Sequence, residues 1–416
     1  MLALAFLSFL GHWRQRGIFT PMICGMISGA SVLTRTTNLP FVAAWMVISL
    51  LGFPKGIAAV SWQRRTGDIL VMFLITLLTL NLGYEFQETL VPIGDYDFVS
   101  TSLTGKTSGE IGNRFRGSFI GNLPVPLPRD FVIGVDLQQR DFEAPEFSSY
   151  LCGKWRSQGW WYYYLFAWAI KTPIGFQIVF LLGTIGFLRN GFQGRVELEE
   201  VVMFSTIAAM FALASIKSGF TIHYRYIMPA VPFLALVCGR SWRCDVVAPR
   251  MQWCGLALLV YGVSSSMWYF PHSLSWFNEF TGGPGHGGEY LLHSSCDWGQ
   301  DLYQVQDWLT EQENGPHELF VSCYGAMQPR PAGKGWRAIP TRELSSGRRS
   351  ADEGEIKPGL YLISISRLYG EGGNYHYLKT LRPSGRIGYS VRIYDVRPAD
   401  ITERHWNEAN PLPMSR

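Results

Sequence analysis

Four basic residues stand in otherwise apolar or aromatic stretches of the chain: Arg35, Lys171, Lys217 and Arg225. No acidic residue of these stretches is placed to neutralise them, and such a charge is by default a candidate functional site. Lys171 and Arg225 each lie beside aromatic residues and a proline that interrupts a helix. This pattern predicts a cationic pocket for a lipid phosphate or pyrophosphate, which arginine binds bidentately and lysine as a point charge. Arg35 and Lys217 are equally well explained as side chains that reach the polar surface from a helix end.

The distribution of charge predicts a membrane protein. The 416 residues are 47% hydrophobic and only 16% charged, whereas soluble proteins carry about 25% charged residues. Residues 1–84 and 159–269 together hold 14 Lys/Arg and only 5 Asp/Glu, arranged around apolar blocks. This composition excludes a disordered chain, a collagen-like fibre and an ordinary soluble enzyme.

The apolar blocks predict a polytopic α-helical membrane protein with about eight spans, of which the first is incomplete. The expected spans are 1–10, 18–33, 39–53, 69–84, 162–188, 201–216, 226–239 and 253–268. The segment 39–53 could instead be re-entrant. The stretch 162–188 is too long for one helix and contains Lys171 and Pro173, so we expect one span there, preceded by an interfacial aromatic segment. Ten of the 14 basic residues fall in the loops 11–17, 54–68, 189–200 and 240–250, which the positive-inside rule assigns to the cytoplasm. We therefore expect membrane helices in 1–84 and 159–269. The loop 85–158 and the tail 270–416, with the C-terminus, are expected outside the cytoplasm.

The tail has the pattern of a small α/β domain. A helix is expected over 298–313 with Asp297 as its N-cap, and strands over 318–324, 359–367 and 386–396. The glycine-rich stretch 281–288 could hold a phosphate, but without a strand before it and a helix directly after it a flexible turn is the better interpretation.

Other site chemistries find little support in the sequence. His272, His286 and His293 lack the spacing of metal ligands, and among Cys152, Cys296 and Cys323 at most one disulfide could form. The net charge of +4 reflects the predicted cytoplasmic loops, so we expect no nucleic-acid partner.

Several motifs resemble bacterial membrane glycosyltransferases related to the protein O-mannosyltransferases (glycosyltransferase family 39, with the GT-C fold). They are Gly-Trp-Trp-Tyr-Tyr-Tyr at 159–164 with Lys-Thr-Pro at 171–173, His-Tyr-Arg-Tyr-Ile-Met-Pro at 223–229, the run 274–284, and Asp-Trp-Gly-Gln-Asp-Leu at 297–302. Segments 122–128 and 387–394 also match. The block 297–302 is the most specific of these, and the resemblance extends over nearly the whole chain.

The resemblance implies an enzyme of the bacterial inner membrane that takes a sugar from a polyprenyl-phosphate donor. The acceptor on the outer face would be a protein or an envelope glycan or lipid. Lys171, His223 and Arg225 would contact the lipid phosphate. Asp297, Gln300 and Asp301 would order the junction between the membrane part and the tail. No tightly bound cofactor is implied, and a divalent cation is left open.

One departure from the family concerns catalysis. Its members carry an acidic pair in the first outer loop, which activates the acceptor. The segment 34–38 lacks a carboxylate, and neither Glu199-Glu200 nor Asp352-Glu353 matches that pair. The sequence therefore suggests a truncated form whose first spans could come from a partner chain. The alternatives are a non-catalytic membrane protein that binds lipid-linked sugar or assists a complete transferase, and a transporter, which the absence of an internal repeat disfavours.

Overall fold

A computed structural model describes residues 1–15, 17–51, 61–107, 109–143, 148–216, 223–240, 249–312, 315–325, 329, 335–341 and 356–401. The chain forms two compact units. The first comprises Met1–Glu146, Phe180–Phe220 and Ile227–Ala248, and the second comprises Phe147–Val179, Thr221–Tyr226 and Pro249–Arg416.

The described residues form long helices, most of them in the apolar stretches, and short helices of four residues. They are α1 (Leu2–Arg14), α2 (Thr20–Thr34), α3 (Leu39–Leu51), α4 (Trp62–Gly83), α5 (Thr101–Thr104), α6 (Arg129–Glu143), α7 (Tyr163–Lys171), α8 (Ile174–Phe192), α9 (Leu198–Ile216), α10 (Val231–Arg240), α11 (Pro249–Trp268), α12 (Gly287–Tyr290), α13 (Leu302–Glu311) and α14 (Ile365–Leu368). The strands are β1 (Ser149–Leu151), β2 (Lys154–Arg156), β3 (Leu319–Ser322), β4 (Arg337–Ala338), β5 (Gly359–Ser364), β6 (Gly385–Ile387) and β7 (Val391–Val396).

The expectation of about eight spans is wrong. Within the described ranges, only α4 and α8 are long and apolar enough to cross a membrane, which by itself is weak support for membrane association. The predicted spans 1–10, 18–33, 39–53 and 226–239 form helices of 13, 15, 13 and 10 residues. At 1.5 Å per residue these reach at most about 23 Å, short of a hydrocarbon core of about 30 Å.

The stretch 162–188 forms two helices, because α7 ends at Lys171 and α8 begins after Pro173. This agrees with the expectation of one span preceded by an aromatic segment, since α8 is long and apolar enough to cross a membrane. The predicted 201–216 lies in α9, whose first turn carries Glu199 and Glu200, and 253–268 lies in α11. Neither of these two helices is among those whose described residues are long and apolar enough to cross a membrane.

In the first unit, α2 and α4 approach closely through small residues. A Cβ atom at Gly25 would lie 2.6 Å from the Met72 carbonyl oxygen, and one at Gly29 would lie 2.5 Å from the Thr79 Cβ. The Thr76 hydroxyl donates to the Gly25 carbonyl at 3.1 Å. Because Gly25 and Gly29 have no side chains, the two helices can pack closely against each other.

The second unit contains the sheet predicted for the tail. Its five strands lie in the order β4-β3-β5-β7-β6. Strand β3 is parallel to β4 and β5, whereas β7 is antiparallel to β5 and β6. Helix α13 buries Val305 and Leu309 in a cluster with Val321 and Leu362. A second cluster includes Phe320, Tyr361, Ile363, Tyr377 and Tyr394.

Three details of the tail differ from the prediction. The strand expected over 386–396 is a hairpin, because Gly388 takes a left-handed φ of 53° between β6 and β7. Strand β5 ends at Ser364 and is followed by α14. Helix α13 begins at Leu302 with Asp301 as its N-cap residue, so Asp297 does not cap it.

Candidate functional site

Lys171 ends α7 and holds two segments of the tail together, one around Leu274 and Trp276 and one at Ser295. Its ammonium donates to the carbonyl oxygens of Leu274 at 2.8 Å, Trp276 at 2.7 Å and Ser295 at 2.8 Å. The Nζ atom also lies 4.3 Å from the centre of the Phe277 ring. These contacts occupy all three N–H donors of the lysine. Burial lowers the pKa of Lys171, whereas the three carbonyl oxygens oppose that shift because they bind the charged form.

The turn His293–Ser295 connects Lys171 to the predicted arginine and histidine. The buried Ser295 accepts the Lys171 ammonium on its carbonyl and the backbone N–H of Tyr224 on its hydroxyl, at 3.2 Å. The neighbouring Ser294 hydroxyl lies 2.8 Å from Nδ1 of His223. The turn therefore fixes the start of the segment 223–226. Within the turn, His293 adopts a left-handed φ of 54°.

His223 and Arg225 border an aromatic cluster. The Arg225 guanidinium carbon lies 5.6 Å from the ring centre of Trp298 and 5.6 Å from that of Tyr226. The His223 ring lies 5.6 Å from Trp298 and 5.7 Å from Tyr226. We call these four residues, together with His293, the aromatic–basic cluster. A cation over an aromatic face is attracted by the ring quadrupole, so the aromatic rings help to orient Arg225.

The cluster contains a charged hydrogen-bond donor, Arg225, and a neutral one, His223. Burial, followed by the charges of Arg225 and His293, lowers the pKa of His223 to about 4. Burial also lowers the pKa of His293. At neutral pH both imidazoles are therefore uncharged, and Arg225 supplies the positive charge of the cluster. A neutral imidazole can still donate one hydrogen bond, whereas the guanidinium offers the fork that matches a phosphate.

Trp155 and Tyr324 extend the aromatic surface of the aromatic–basic cluster. The His293 ring lies 5.7 Å from Trp155 and 5.6 Å from Tyr324. Trp298 lies 6.0 Å from Tyr324 and is 48% exposed. Exposed aromatic faces next to a cation can take the apolar C–H face of a sugar beside its phosphate.

The acidic and amide residues of the block 297–302 fasten this region to the sheet. Asp297 is buried and accepts the N–H groups of Gly299 at 3.2 Å and Ser366 at 3.1 Å, and burial raises the pKa of its carboxyl. Asp301 accepts both the N–H and the hydroxyl of Ser390, at 3.2 and 2.7 Å, and lies 3.3 Å from Nδ1 of His272.

Gln300 connects the same block to the segment before it. Its amide donates to the Ser275 hydroxyl at 2.9 Å and to the Cys296 carbonyl at 3.0 Å, and its carbonyl accepts the Trp298 N–H at 2.8 Å. Trp298 is thereby held between Asp297 and Gln300. The ordering of Trp298 links this block to the aromatic–basic cluster.

Other residues singled out in the sequence lie elsewhere. Arg35 follows α2, and Glu199 pairs with Arg14. Lys217, Asp352 and Glu353 lie outside the described residues. The glycine-rich stretch is densely packed, since a Cβ at Gly287 would collide with the Phe277 ring. Cys152, Cys296 and Cys323 are free thiols. The described part of the chain contains no group of three or more His, Cys, Asp or Glu that could hold a metal ion.

Sequence reasoning did not find Ser294, Ser295, Trp155 and Tyr324. Serines have no positional signature in such a turn, and Trp155 and Tyr324 lie far from His293 along the chain. His293 is visible in the sequence only as one of three histidines that lack the spacing of metal ligands.

No protein-family model, no curated protein and no solved structure matches this chain.

Proposed function

We propose that this protein is a glycosyltransferase that uses a polyprenyl-phosphate sugar and acts on the outer face of the inner membrane. In this proposal Arg225 binds the donor phosphate. The observation that carries the proposal is the aromatic–basic cluster, in which Arg225 and the neutral His223 lie against the partly exposed Trp298 ring. The motif resemblance supplies the identity of the donor. The cluster supplies a phosphate-binding fork beside an aromatic surface for the sugar.

The chemistry follows from the leaving group. Transfer breaks the bond between the sugar's anomeric carbon and the phosphate oxygen, while the oxygen of an acceptor hydroxyl forms the new bond to that carbon. The proton of the hydroxyl passes to the departing phosphate. Negative charge grows on the departing phosphate, so a fixed guanidinium lowers the barrier. Lys171 acts in this proposal through Ser295, because its own donors are already occupied by carbonyls.

The membrane location rests on α4 and α8. Helix α4 exposes an apolar stripe at helical spacing, comprising Leu70, Phe73, Leu74, Leu78 and Leu82. Arg64 lies near the start of α4, and Arg189 and Arg195 lie near the end of α8. The positive-inside rule assigns both of these ends to the cytoplasm. Lys171 lies at the opposite end of α8 and is held by tail residues, which supports an extracytoplasmic tail.

A non-catalytic binding protein is the second candidate. The pKa of His223 is about 4, so this imidazole is a weak base for an acceptor hydroxyl at neutral pH. A chain that holds the donor phosphate and leaves activation of the acceptor to a partner chain fits the same cluster.

The test measures binding and transfer with full-length protein in lipid nanodiscs. We expect Arg225→Ala to weaken binding of a polyprenyl-phosphate sugar by about tenfold or more, since a charge-assisted hydrogen bond is worth roughly 1.5–3 kcal/mol. Arg156→Ala is the matched control, because Arg156 also lies over a tryptophan, 5.2 Å from the Trp160 ring, but belongs to β2. Equal affinity in wild type and Arg225→Ala would refute the proposed site. Transfer of labelled sugar by the wild type alone would exclude the non-catalytic candidate.

A further inference from the structure

We propose that a surface of the first unit inserts into the boundary between the headgroups and the acyl chains of a lipid bilayer. This insertion is independent of any sugar transfer. We call it the apolar ledge. It consists of five large hydrophobic side chains with exposed fractions of 50%, 60%, 84%, 49% and 48%: Phe86, Leu90, Phe119, Ile120 and Leu123. Exposed apolar side chains grouped in this way mark an interaction surface rather than ordinary soluble surface.

The ledge is built from two segments that pair with each other. The Leu90 N–H donates to the Val125 carbonyl at 3.0 Å, and the Ile93 N–H donates to the Leu123 carbonyl at 3.0 Å. An isolated antiparallel bridge joins Pro92 and Pro124. The apolar residues of 86–90 and 119–123 are therefore parts of one local structure.

Asn81 fixes this structure to the end of α4. Its side-chain amide donates to the Pro126 carbonyl at 3.1 Å, and its side-chain carbonyl accepts the Thr89 hydroxyl at 2.8 Å. Its backbone carbonyl accepts the Phe86 N–H at 2.8 Å. Both segments of the ledge are thus tied to the last turn of a helix that is apolar and long enough to span a membrane.

The length of α4 sets the depth of the ledge. Its 22 residues extend over about 33 Å, against a hydrocarbon thickness of about 30 Å. The ledge follows that helix directly and continues its exposed stripe from Leu82 to Phe86. If α4 crosses the bilayer, the ledge lies at the headgroup level, where amphipathic segments bury an apolar face about 5–10 Å deep.

The backbone of the first segment supports a functional surface. Phe86 and Leu90 adopt left-handed φ values of 56° and 68°, as do Glu85 and Glu88 at 54° and 43°. Left-handed backbone at residues other than glycine costs free energy and is kept where the surrounding contacts require it. Here it presents two large apolar side chains to the outside instead of burying them.

The charges beside the ledge indicate which lipids it favours. Glu88 pairs with Arg129 at 3.0 Å, which neutralises one carboxylate. Glu85 is exposed next to Phe86. Among the described charges beside the ledge, Glu85 and the paired Glu88 and Arg129 carry no net positive charge. We therefore expect insertion into zwitterionic membranes without a requirement for anionic lipid.

The test uses the full chain in phosphatidylcholine vesicles, with a photo-activated diazirine amino acid in place of Phe119. The matched control places it at Ile111, which is 65% exposed in the same loop but outside the ledge. We expect about tenfold more covalent phospholipid adduct from position 119 than from position 111, because a side chain in water reacts mainly with solvent.

Three outcomes would overturn the proposal. Similar lipid adducts at both positions would mean that the ledge has no particular contact with lipid. An adduct with water alone at position 119 would place the ledge in solvent. A cross-linked product of twice the chain mass would show that a second copy covers it. None of these results depends on sugar transfer or on Arg225.

Discussion

At the scale of residues, a charge has to be judged by its partners. Lys171 and Arg225 attract attention in the sequence for the same reason, as basic residues beside aromatics and a proline. The structure gives them different surroundings: three carbonyl oxygens surround the Lys171 ammonium, whereas Arg225 lies over two aromatic rings. We therefore assign positioning to Lys171 and keep phosphate binding for Arg225 as the proposal.

Replacing Lys171 by methionine should weaken both the fold and the site. The variant keeps the apolar stem but leaves three carbonyl oxygens without the ammonium, and an unsatisfied buried polar group costs roughly 1–3 kcal/mol. We expect a lower melting temperature and weaker binding of the lipid-phosphate probe. Lys154→Met is the control, because Lys154 is exposed in β2. Lys171→Arg should restore more of the binding than methionine does; binding unaffected by Lys171→Met would contradict the positioning role.

The depressed pKa of His223 makes stability depend on pH. The folded-state pKa is about 4, below the usual value of 6.5, so the unfolded chain takes up a proton that the folded chain refuses. Its contribution to stability is complete above pH 6.5 and declines as the pH falls toward 4, by on the order of 2 kcal/mol after allowance for solvent screening. Thermal unfolding at pH 7.5 and 4.5 should show a larger loss in wild type than in His223→Gln. Equal losses would show that His223 does not contribute.

At the scale of elements, breaks and turns were harder to predict than strands and helices. The alternation over 386–396 predicts one strand, but the chain turns at Gly388 with a left-handed φ of 53°. A Cβ atom added there would collide with the Asp301 carboxylate. Asp301 is distant in sequence, so this constraint is invisible locally. The proline at 173 was visible, yet whether it kinks or divides a helix depends on tertiary contacts. Here Asn278 binds the carbonyls of Ala169 and Thr172, which stabilises the break.

The packing of α2 on α4 should depend on the absence of a side chain at Gly25. Gly25→Ala would place a methyl group 2.6 Å from the Met72 carbonyl oxygen, so the helices must separate. We expect a loss of about 1–3 kcal/mol, as for overpacked cores. Gly11→Ala in α1 is the control, because the added Cβ would have no atom within 4 Å. This substitution should be neutral or slightly stabilising. The comparison can be made by thermal unfolding in detergent; equal stability of the two variants would contradict this packing.

At the scale of the whole molecule, composition overstated the number of membrane crossings. The apolar blocks are real, but α1, α2, α3 and α10 are too short to cross a membrane. Hydropathy counts apolar residues, whereas a span needs a continuous helix of about 20 residues. What stands is a pair of helices, α4 and α8, and with them weak support for membrane association.

Local sequence pattern is enough to predict the sheet of the tail, since buried strands are local runs of apolar residues such as 319–322 and 359–364. It also indicated Arg225 as a candidate from its charge beside aromatic residues, whereas His223 became a candidate through the motif resemblance. Only the tertiary structure decided that Lys171 is occupied by three carbonyls, that His223 is neutral, and that Trp298 lies beside both His223 and Arg225. The contacts of Lys171 and Trp298 join residues more than 70 positions apart, and the pKa of His223 depends mainly on its burial. Local pattern carries no information about either.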